Sequence, residues 1–153
     1  MGIFHSLNTA GSALTTQRLR MDVISSNMAN VDTTRGRLVN GEWEPYRRKT
    51  VTLQAKGGQF SDMLQLATGK NKNSSAGSGV RVSNIIEDRE TPFQSVYDPE
   101  HPDANDEGYV QMPNVDPLRE MVNLMSATRS YEANVTVFNA NKSMLMKALE
   151  IGK

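Results

Sequence analysis

Apolar residues recur every seven positions at both ends of the chain, and this repeat constrains the fold more than any other feature. Spacing of this kind predicts a helix whose narrow apolar stripe faces another helix. Gln17 and Lys142 are the polar interruptions. The predicted seam residues are Ile3, Leu7, Ala10, Leu14, Met21, Ile24 and Met28 in the first repeat, and Met121, Leu124, Tyr131, Val135, Phe138, Leu145 and Leu149 in the second.

Local signals set the ends of both predicted helices. No Gly or Pro occurs between Ser12 and Asn30, and polar residues then lead to Gly36. Side chains of this kind compete with the helical backbone, so the first helix should stop near Asn30. Asp116 before Pro117 predicts an N-cap followed by proline at the first helical position. The second helix should therefore run from Pro117 to Ile151.

The two stripes can bury one another, because each is too narrow to form a core alone. We therefore expect a mainly α fold with a small β-rich insertion, the N- and C-terminal helices pairing as an antiparallel coiled coil. The expected domains are residues 1–34 plus 115–153 for the helices and 35–114 for an outward-facing insertion with a flexible polar segment at 69–79. An ordinary helical hairpin in a soluble protein fits the same repeat. Helix surfaces rich in Asn, Ser and Thr favour contacts with neighbouring protein molecules instead.

Short segments separated by Gly and Pro make up the middle of the chain. Alternation of β-branched and polar residues predicts strands in four of them. These strands are Tyr46–Leu53, Val80–Glu87, Ser95–Asp98 and Tyr109–Met112.

The neutral net charge, 17 basic against 17 acidic residues, hides an uneven distribution. Residues 35–81 carry a net charge of about +6, nine Lys or Arg against three acids, and residues 87–107 about −7, one Arg against eight acids. We expect no nucleic-acid partner, because no global basic field is present. The two segments instead suggest charge contacts between subunits. The residues proposed for them are Arg47, Arg48 and Lys49 on one side, and Asp103, Asp106 and Glu107 on the other.

Signals for catalysis and ligand binding are weak throughout the sequence. Neither His5 nor His101 lies in a catalytic motif, and no G-x-S-x-G or GxxxxGK[ST] pattern occurs. The acidic segment 98–107 lacks the ligand spacing of an EF-hand. With zero cysteines, thiolate metal sites and disulfides are excluded. We expect neither an enzyme nor a cofactor or metal. Apolar runs far below ~20 residues predict no direct membrane insertion.

Two terminal segments resemble the paired signatures of the bacterial flagellar rod and hook protein family. Residues 13–33, beginning Ala-Leu-Thr-Thr-Gln, resemble the N-terminal signature, and residues 126–135, Ser-Ala-Thr-Arg-Ser-Tyr-Glu-Ala-Asn-Val, its C-terminal companion. Residues 96–116 are similar to the proximal rod members of that family. The matching signature positions are Ser26, Asn27, Ala29, Asn30, Thr33, Tyr131, Glu132, Ala133 and Asn134.

This resemblance implies a structural subunit of the flagellar basal-body proximal rod in the cell envelope. Its partners would be copies of itself, other rod proteins, the export apparatus and the membrane ring. Helical assembly would form a hollow drive shaft, and export would use the flagellar type III system without a cleaved signal peptide. A cytosolic coiled-coil adaptor and another rod or hook-junction protein are the alternative interpretations.

Overall fold

The computed structural model describes residues 3–56 and 79–152, which form two long helices and three pairs of short strands. The predicted flexible segment 69–79 lies outside the described residues except for Gly79. In chain order, the elements are α1 (Ile3–Ala29), β1 (Arg37–Val39), β2 (Glu42–Glu44), β3 (Lys49–Ala55), β4 (Val80–Glu87), β5 (Gln94–Tyr97), β6 (Tyr109–Met112) and α2 (Pro117–Ile151).

Both helices begin and end close to the predicted residues. The carboxylate Oδ1 of Asp116 accepts the backbone N–H groups of Leu118 at 3.0 Å and Arg119 at 3.3 Å. These are donors that the first turn of a helix leaves unpaired, so the predicted N-cap of α2 is confirmed. Among the described residues, no helix is both long and apolar enough to cross a membrane.

The first hairpin joins β1 to β2 through a two-residue turn at Asn40 and Gly41. Leu38 pairs with Trp43 across the two antiparallel strands. Asn40 has φ +53° and Gly41 has φ +92°. This left-handed geometry at both positions suits Asn-Gly hairpin turns, because Gly has no Cβ and Asn tolerates positive φ. The sequence analysis missed this hairpin, although Asn-Gly is a strong short-range signal for one.

Two further strand pairs follow. In the β3–β4 sheet, Lys56 N donates to Gly79 O at one end, and Asp88 N donates to Arg48 O at the other. The β5–β6 pair is antiparallel, with Tyr97 opposite Tyr109. The strand predicted at Val80–Glu87 and the one at Tyr109–Met112 are confirmed. The one predicted at Tyr46–Leu53 is displaced to Lys49–Ala55, because Tyr46 and Arg47 form the irregular entry to β3.

The chain divides into two compact units, and each includes part of both helices. The first comprises residues 1–19, 52–84 and 128–153, and the second 20–51 and 85–127. This partition differs from the expected division into a helical domain and an insertion, which stays a prediction. So does the antiparallel coiled coil, whereas two helices with small strand pairs agree with the expected fold class.

Polar groups occupy much of the interior of the second unit. Its buried aliphatic residues are Val23, Ile24, Val110, Val115 and Ala127. Asn27, Asn114 and Glu120 are buried beside them, with 0%, 5% and 1% of their surface exposed. Buried amides and carboxylates are costly unless they are hydrogen-bonded, so the partners of these three residues determine whether the unit is stable.

Candidate functional site

The side-chain amide of Asn27 binds the backbone of β3 in the way that a neighbouring strand would. Its Nδ2 donates to Lys49 O at 2.8 Å, and its Oδ1 accepts Lys49 N at 2.9 Å. The same amide donates to Glu120 Oε2 at 3.0 Å and accepts Tyr46 OH at 3.0 Å. All four hydrogen-bonding positions of the amide are therefore used.

Glu120, which accepts a hydrogen bond from Asn27, has a fully buried carboxylate. Its Oε1 accepts Nε and Nη2 of Arg48 at 2.9 and 2.8 Å and Nδ2 of Asn123 at 3.3 Å. Arg48 also lies 3.8 Å from a carboxylate oxygen of Asp88. Since a buried charge is tolerated only when it is paired and hydrogen-bonded, Arg48 is the residue that permits Glu120 to be buried.

Asn114 supplies a second amide clamp on the entry to β3. Its Oδ1 accepts Arg48 N at 2.8 Å, and its Nδ2 donates to the carbonyl oxygens of Asp88 and Thr91 at 2.9 and 3.1 Å. The sequence analysis did not single out Asn114 or Glu120. Together with Asn27 and Arg48 they form the buried polar cluster, which joins α1, β3, α2 and the loop after β4.

Other family-signature residues organise the end of α1. Asn30 Nδ2 donates to Ser26 O at 2.8 Å, and Thr33 Oγ1 donates to Asn30 Oδ1 at 3.2 Å. Thr33 O then accepts Tyr46 N at 3.0 Å, so the helix end is tied to the segment before β3. In α2, Asn134 Nδ2 donates to Ser130 O at 2.8 Å. Of the remaining signature residues, Tyr131 is half-buried, and Ala29, Glu132 and Ala133 are exposed.

The predicted seam residues differ in their exposure. In α1, Ala10 and Ile24 are buried, and Leu7, Leu14, Met21 and Met28 are half-buried; Ile3 begins the helix. In α2, Leu124, Tyr131, Val135, Phe138 and Leu145 are half-buried, whereas Met121 and Leu149 are exposed. The covered face of α2 also includes Glu120, Ala127, Asn134 and Asn141 at seven-residue intervals. The covered face of α2 is therefore more polar than the predicted apolar stripe.

Four of the six charged residues proposed for subunit contacts have partners within the chain. Arg48 is bound to Glu120, and Asp103 to Arg35. Arg47 lies 4.4 Å above the ring of Phe93 and 3.6 Å from Glu44. Lys49 Nζ lies 5.5 Å from the ring centre of Tyr46, and Asp106 and Glu107 are exposed. A subunit contact through Arg48 or Asp103 would first have to break an ion pair within the chain.

Asp103 anchors the acidic loop before β6. Arg35 donates to its Oδ1 through Nε at 2.8 Å and through Nη2, and Thr34 Oγ1 donates to Oδ2 at 2.7 Å. The Arg35 hydrogen bonds, followed by the Thr34 bond, lower the pKa of Asp103 below its ordinary value of 3.8, and the same contact raises the pKa of Arg35. The contact fixes the 98–107 segment against the residues that follow α1.

Asp88 closes a tight turn after β4. Thr91 N and Glu90 N donate to its Oδ1 at 3.1 and 3.2 Å, and Thr91 Oγ1 donates to Oδ2 at 2.9 Å. The backbone hydrogen bond from Thr91 is the main cause of a lowered pKa for Asp88. This turn presents the carbonyl oxygens that Asn114 binds. Within the described residues, no group of three His, Cys, Asp or Glu could hold a metal ion.

Comparisons with known proteins identify the class to which the chain belongs. Residues 7–36 match the family described as Flagella basal body rod protein, and residues 106–151 match Flagellar basal body rod FlgEFG protein C-terminal. These matches define the class as flagellar rod proteins, which are structural and not enzymes. Asn27 lies in the first matched range, and Glu120 lies in the second.

Relatives matched over the whole chain identify the particular family. The chain is 65% identical to flagellar basal-body rod protein FlgC of Bacillus subtilis over 100% of both chains. It is 43% identical to FlgC of Borreliella burgdorferi, over 99% of this chain and 98% of that one, and 42% identical to FlgC of Escherichia coli O157:H7 over 100% of both. The chain belongs to the FlgC family of flagellar basal-body rod proteins.

Proposed function

We propose that the chain is a proximal rod subunit that assembles helically with copies of itself and with other rod proteins, forming a hollow shaft that transmits torque and passes exported subunits. The observation that carries this proposal is an uncovered apolar stripe in the N-terminal part of α2. Its residues are Leu118, Met121, Val122 and Met125, which are between 47% and 75% exposed.

The spacing of this stripe fits a protein contact. Positions i, i+3, i+4 and i+7 lie on one face of a helix, so the four side chains form one continuous surface. Covering such a side chain contributes about 1.5–3 kcal/mol relative to leaving it in water. A subunit that is always surrounded by neighbours gains this free energy, whereas an isolated soluble protein would leave it unused.

The remaining features of the proposal concern architecture and delivery. α1 and α2 pair as an antiparallel coiled coil in an inner domain of residues 1–34 and 115–153, and residues 35–114 face outward. Support comes from the half-buried seam residues and from the Asn27–Glu120 bond between the two helices. Export occurs through the flagellar type III system, towards the periplasmic space where one is present. The export apparatus and the membrane ring are further partners.

Purified basal bodies provide the test. Electron microscopy of basal bodies from cells that lack this protein should show no complete proximal rod, and an intact one would overturn the proposal.

A double variant tests the apolar stripe of α2 in the same cells. Leu118→Ser/Met125→Ser should unfold in urea like the wild type but should fail to restore rods. Arg129→Ser, at an exposed position of α2, is the matched control and should restore them.

A further inference from the structure

The turn of the β1–β2 hairpin holds an asparagine that is open to chemical modification. Asn40 is followed by Gly41, and this is the one Asn-Gly pair in the chain. Both residues are exposed. Within residues 3–56 and 79–152, the side-chain amide of Asn40 has no hydrogen-bond partner. The amide can therefore react without first breaking a contact.

The backbone nitrogen of Gly41 is equally accessible. The turn is closed by the antiparallel pair Val39 and Glu42. The ladder hydrogen bonds of such a pair belong to those two residues, so the N–H of Gly41 lies outside the ladder. A Cβ at Gly41 would meet nothing within 4 Å, so no neighbouring group blocks this position. Because Gly41 has no side chain, its nitrogen can come close to the side-chain carbonyl carbon of Asn40.

The reaction also requires the turn to open, and this hairpin is able to do so. Asn40 at φ +53° and Gly41 at φ +92° must leave their left-handed geometry before the nitrogen and the carbon meet. Each strand of the hairpin has three residues, and none of the six is buried. A two-stranded hairpin that buries so little is marginally stable, so local opening costs little free energy.

We infer that Asn40 is a site of spontaneous deamidation in the folded protein. The backbone nitrogen of Gly41 attacks the side-chain carbonyl carbon of Asn40, and a new C–N bond forms as the bond to the amide nitrogen breaks. That nitrogen leaves as ammonia and takes the proton of the Gly41 N–H. Water then opens the resulting five-membered imide at either carbonyl carbon. The products are aspartate and isoaspartate, and no group is oxidised or reduced.

Both products change the hairpin. Each one places a new negative charge beside β2, which already contains Glu42 and Glu44, so repulsion increases. Isoaspartate also adds one carbon atom to the main chain, and the turn then no longer fits the pair Val39 and Glu42. We therefore expect the strands to separate as the molecule ages. This modification does not depend on the proposed rod function.

Peptide mass spectrometry of the full folded chain, incubated at neutral pH, tests the inference. Asn40 should convert at least about tenfold faster than Asn139, an exposed asparagine of α2 that is followed by Ala140. Isoaspartate among the products is detected with isoaspartyl methyltransferase and labelled S-adenosylmethionine. Asn40→Gly is the matched control, because Gly-Gly suits the same turn and has no amide to lose. It should give no signal at this position.

Fluorescence reports on the hairpin during the same incubation, because Trp43 in β2 is the single tryptophan of the chain. Its emission should shift to longer wavelength as isoaspartate accumulates in the wild type, and it should stay constant in Asn40→Gly. Conversion of Asn40 no faster than that of Asn139 would overturn the inference, and so would conversion that occurs in urea but not in the folded chain. Constant emission from fully converted protein would refute the separation of the strands.

Discussion

Asn27 in α1 donates a 3.0 Å hydrogen bond to the buried carboxylate of Glu120 in α2, a residue 93 positions further along the chain. The two residues lie in the two segments that match flagellar rod families. Their contact links the two segments physically, because the buried Glu120 carboxylate relies on Asn27 at one oxygen and on Arg48 at the other.

Removing the Glu120 carboxylate should be strongly destabilising. Glu120→Ala leaves Arg48 and Asn27 without their buried partner, and breaking a buried ion pair in this way costs about 3–5 kcal/mol. Urea denaturation should show this loss. Glu132→Ala, at an exposed position of the same helix, should change the free energy of unfolding by less than about 0.5 kcal/mol. Similar unfolding midpoints for the two variants would contradict the importance of the cluster.

Replacing Asn27 should loosen β3 locally. In Asn27→Ala, the backbone N–H of Lys49 loses its acceptor, so its amide hydrogen should exchange faster with solvent than in the wild type. The N–H of Arg48 is bound by Asn114 and provides an internal comparison. Equal acceleration at both amides would indicate general unfolding instead of the loss of one clamp.

The loop anchored by Asp103 should respond to acid. A carboxyl whose pKa is lowered on folding contributes stability that is present above its unfolded pKa, near 3.8, and is lost as the pH falls through the lowered value. NMR titration should therefore place the pKa of Asp103 below 3.8 in the wild type. Arg35→Ala should move that pKa back towards 3.8, because it removes the largest cause of the shift. An unchanged pKa in this variant would show that the ion pair is absent in solution.

Two glycines should respond in opposite ways to alanine. A Cβ at Gly36 would lie 2.6 Å from the backbone nitrogen of Tyr46, so Gly36→Ala must displace the chain between α1 and β2. A Cβ at Gly11 meets nothing within 4 Å, and Gly inside a helix costs about 0.5–1 kcal/mol relative to Ala. Thermal unfolding should show Gly11→Ala to be stabilised and Gly36→Ala destabilised. Stabilisation of both would contradict the close approach at Gly36.

Local signals predicted the helices well, and their failures have identifiable causes. The heptad repeat and the Asp116 N-cap located α1 and α2 almost to the residue. The assumption that apolar residues are covered and charged ones exposed then misplaced individual side chains. Met121 is exposed, whereas its neighbour Glu120 is buried, because Arg48 approaches from the segment just before β3, some 72 residues earlier in the chain. Periodicity carries no information about a partner so distant in sequence.

The strand predictions were limited for the same reason, because sequence patterns do not reveal partners that are distant along the chain. β-propensity located Val80–Glu87 and Tyr109–Met112 but placed β3 three residues too early at its start. The entry to β3 is held by the amides of Asn27 and Asn114 instead of by a regular strand partner. Side-chain amides hold this irregular segment through hydrogen bonds to its backbone, and strand propensity carries no information about such bonds.

Those two amides also occupy backbone groups at the start of β3. Exposed strand edges present free N–H and C=O groups to which a second chain can add. Asn27 occupies both backbone groups of Lys49, and Asn114 occupies the N–H of Arg48. The groups that a second strand would need at Lys49, and the N–H at Arg48, are therefore already taken, so the start of β3 is closed to strand addition by another chain.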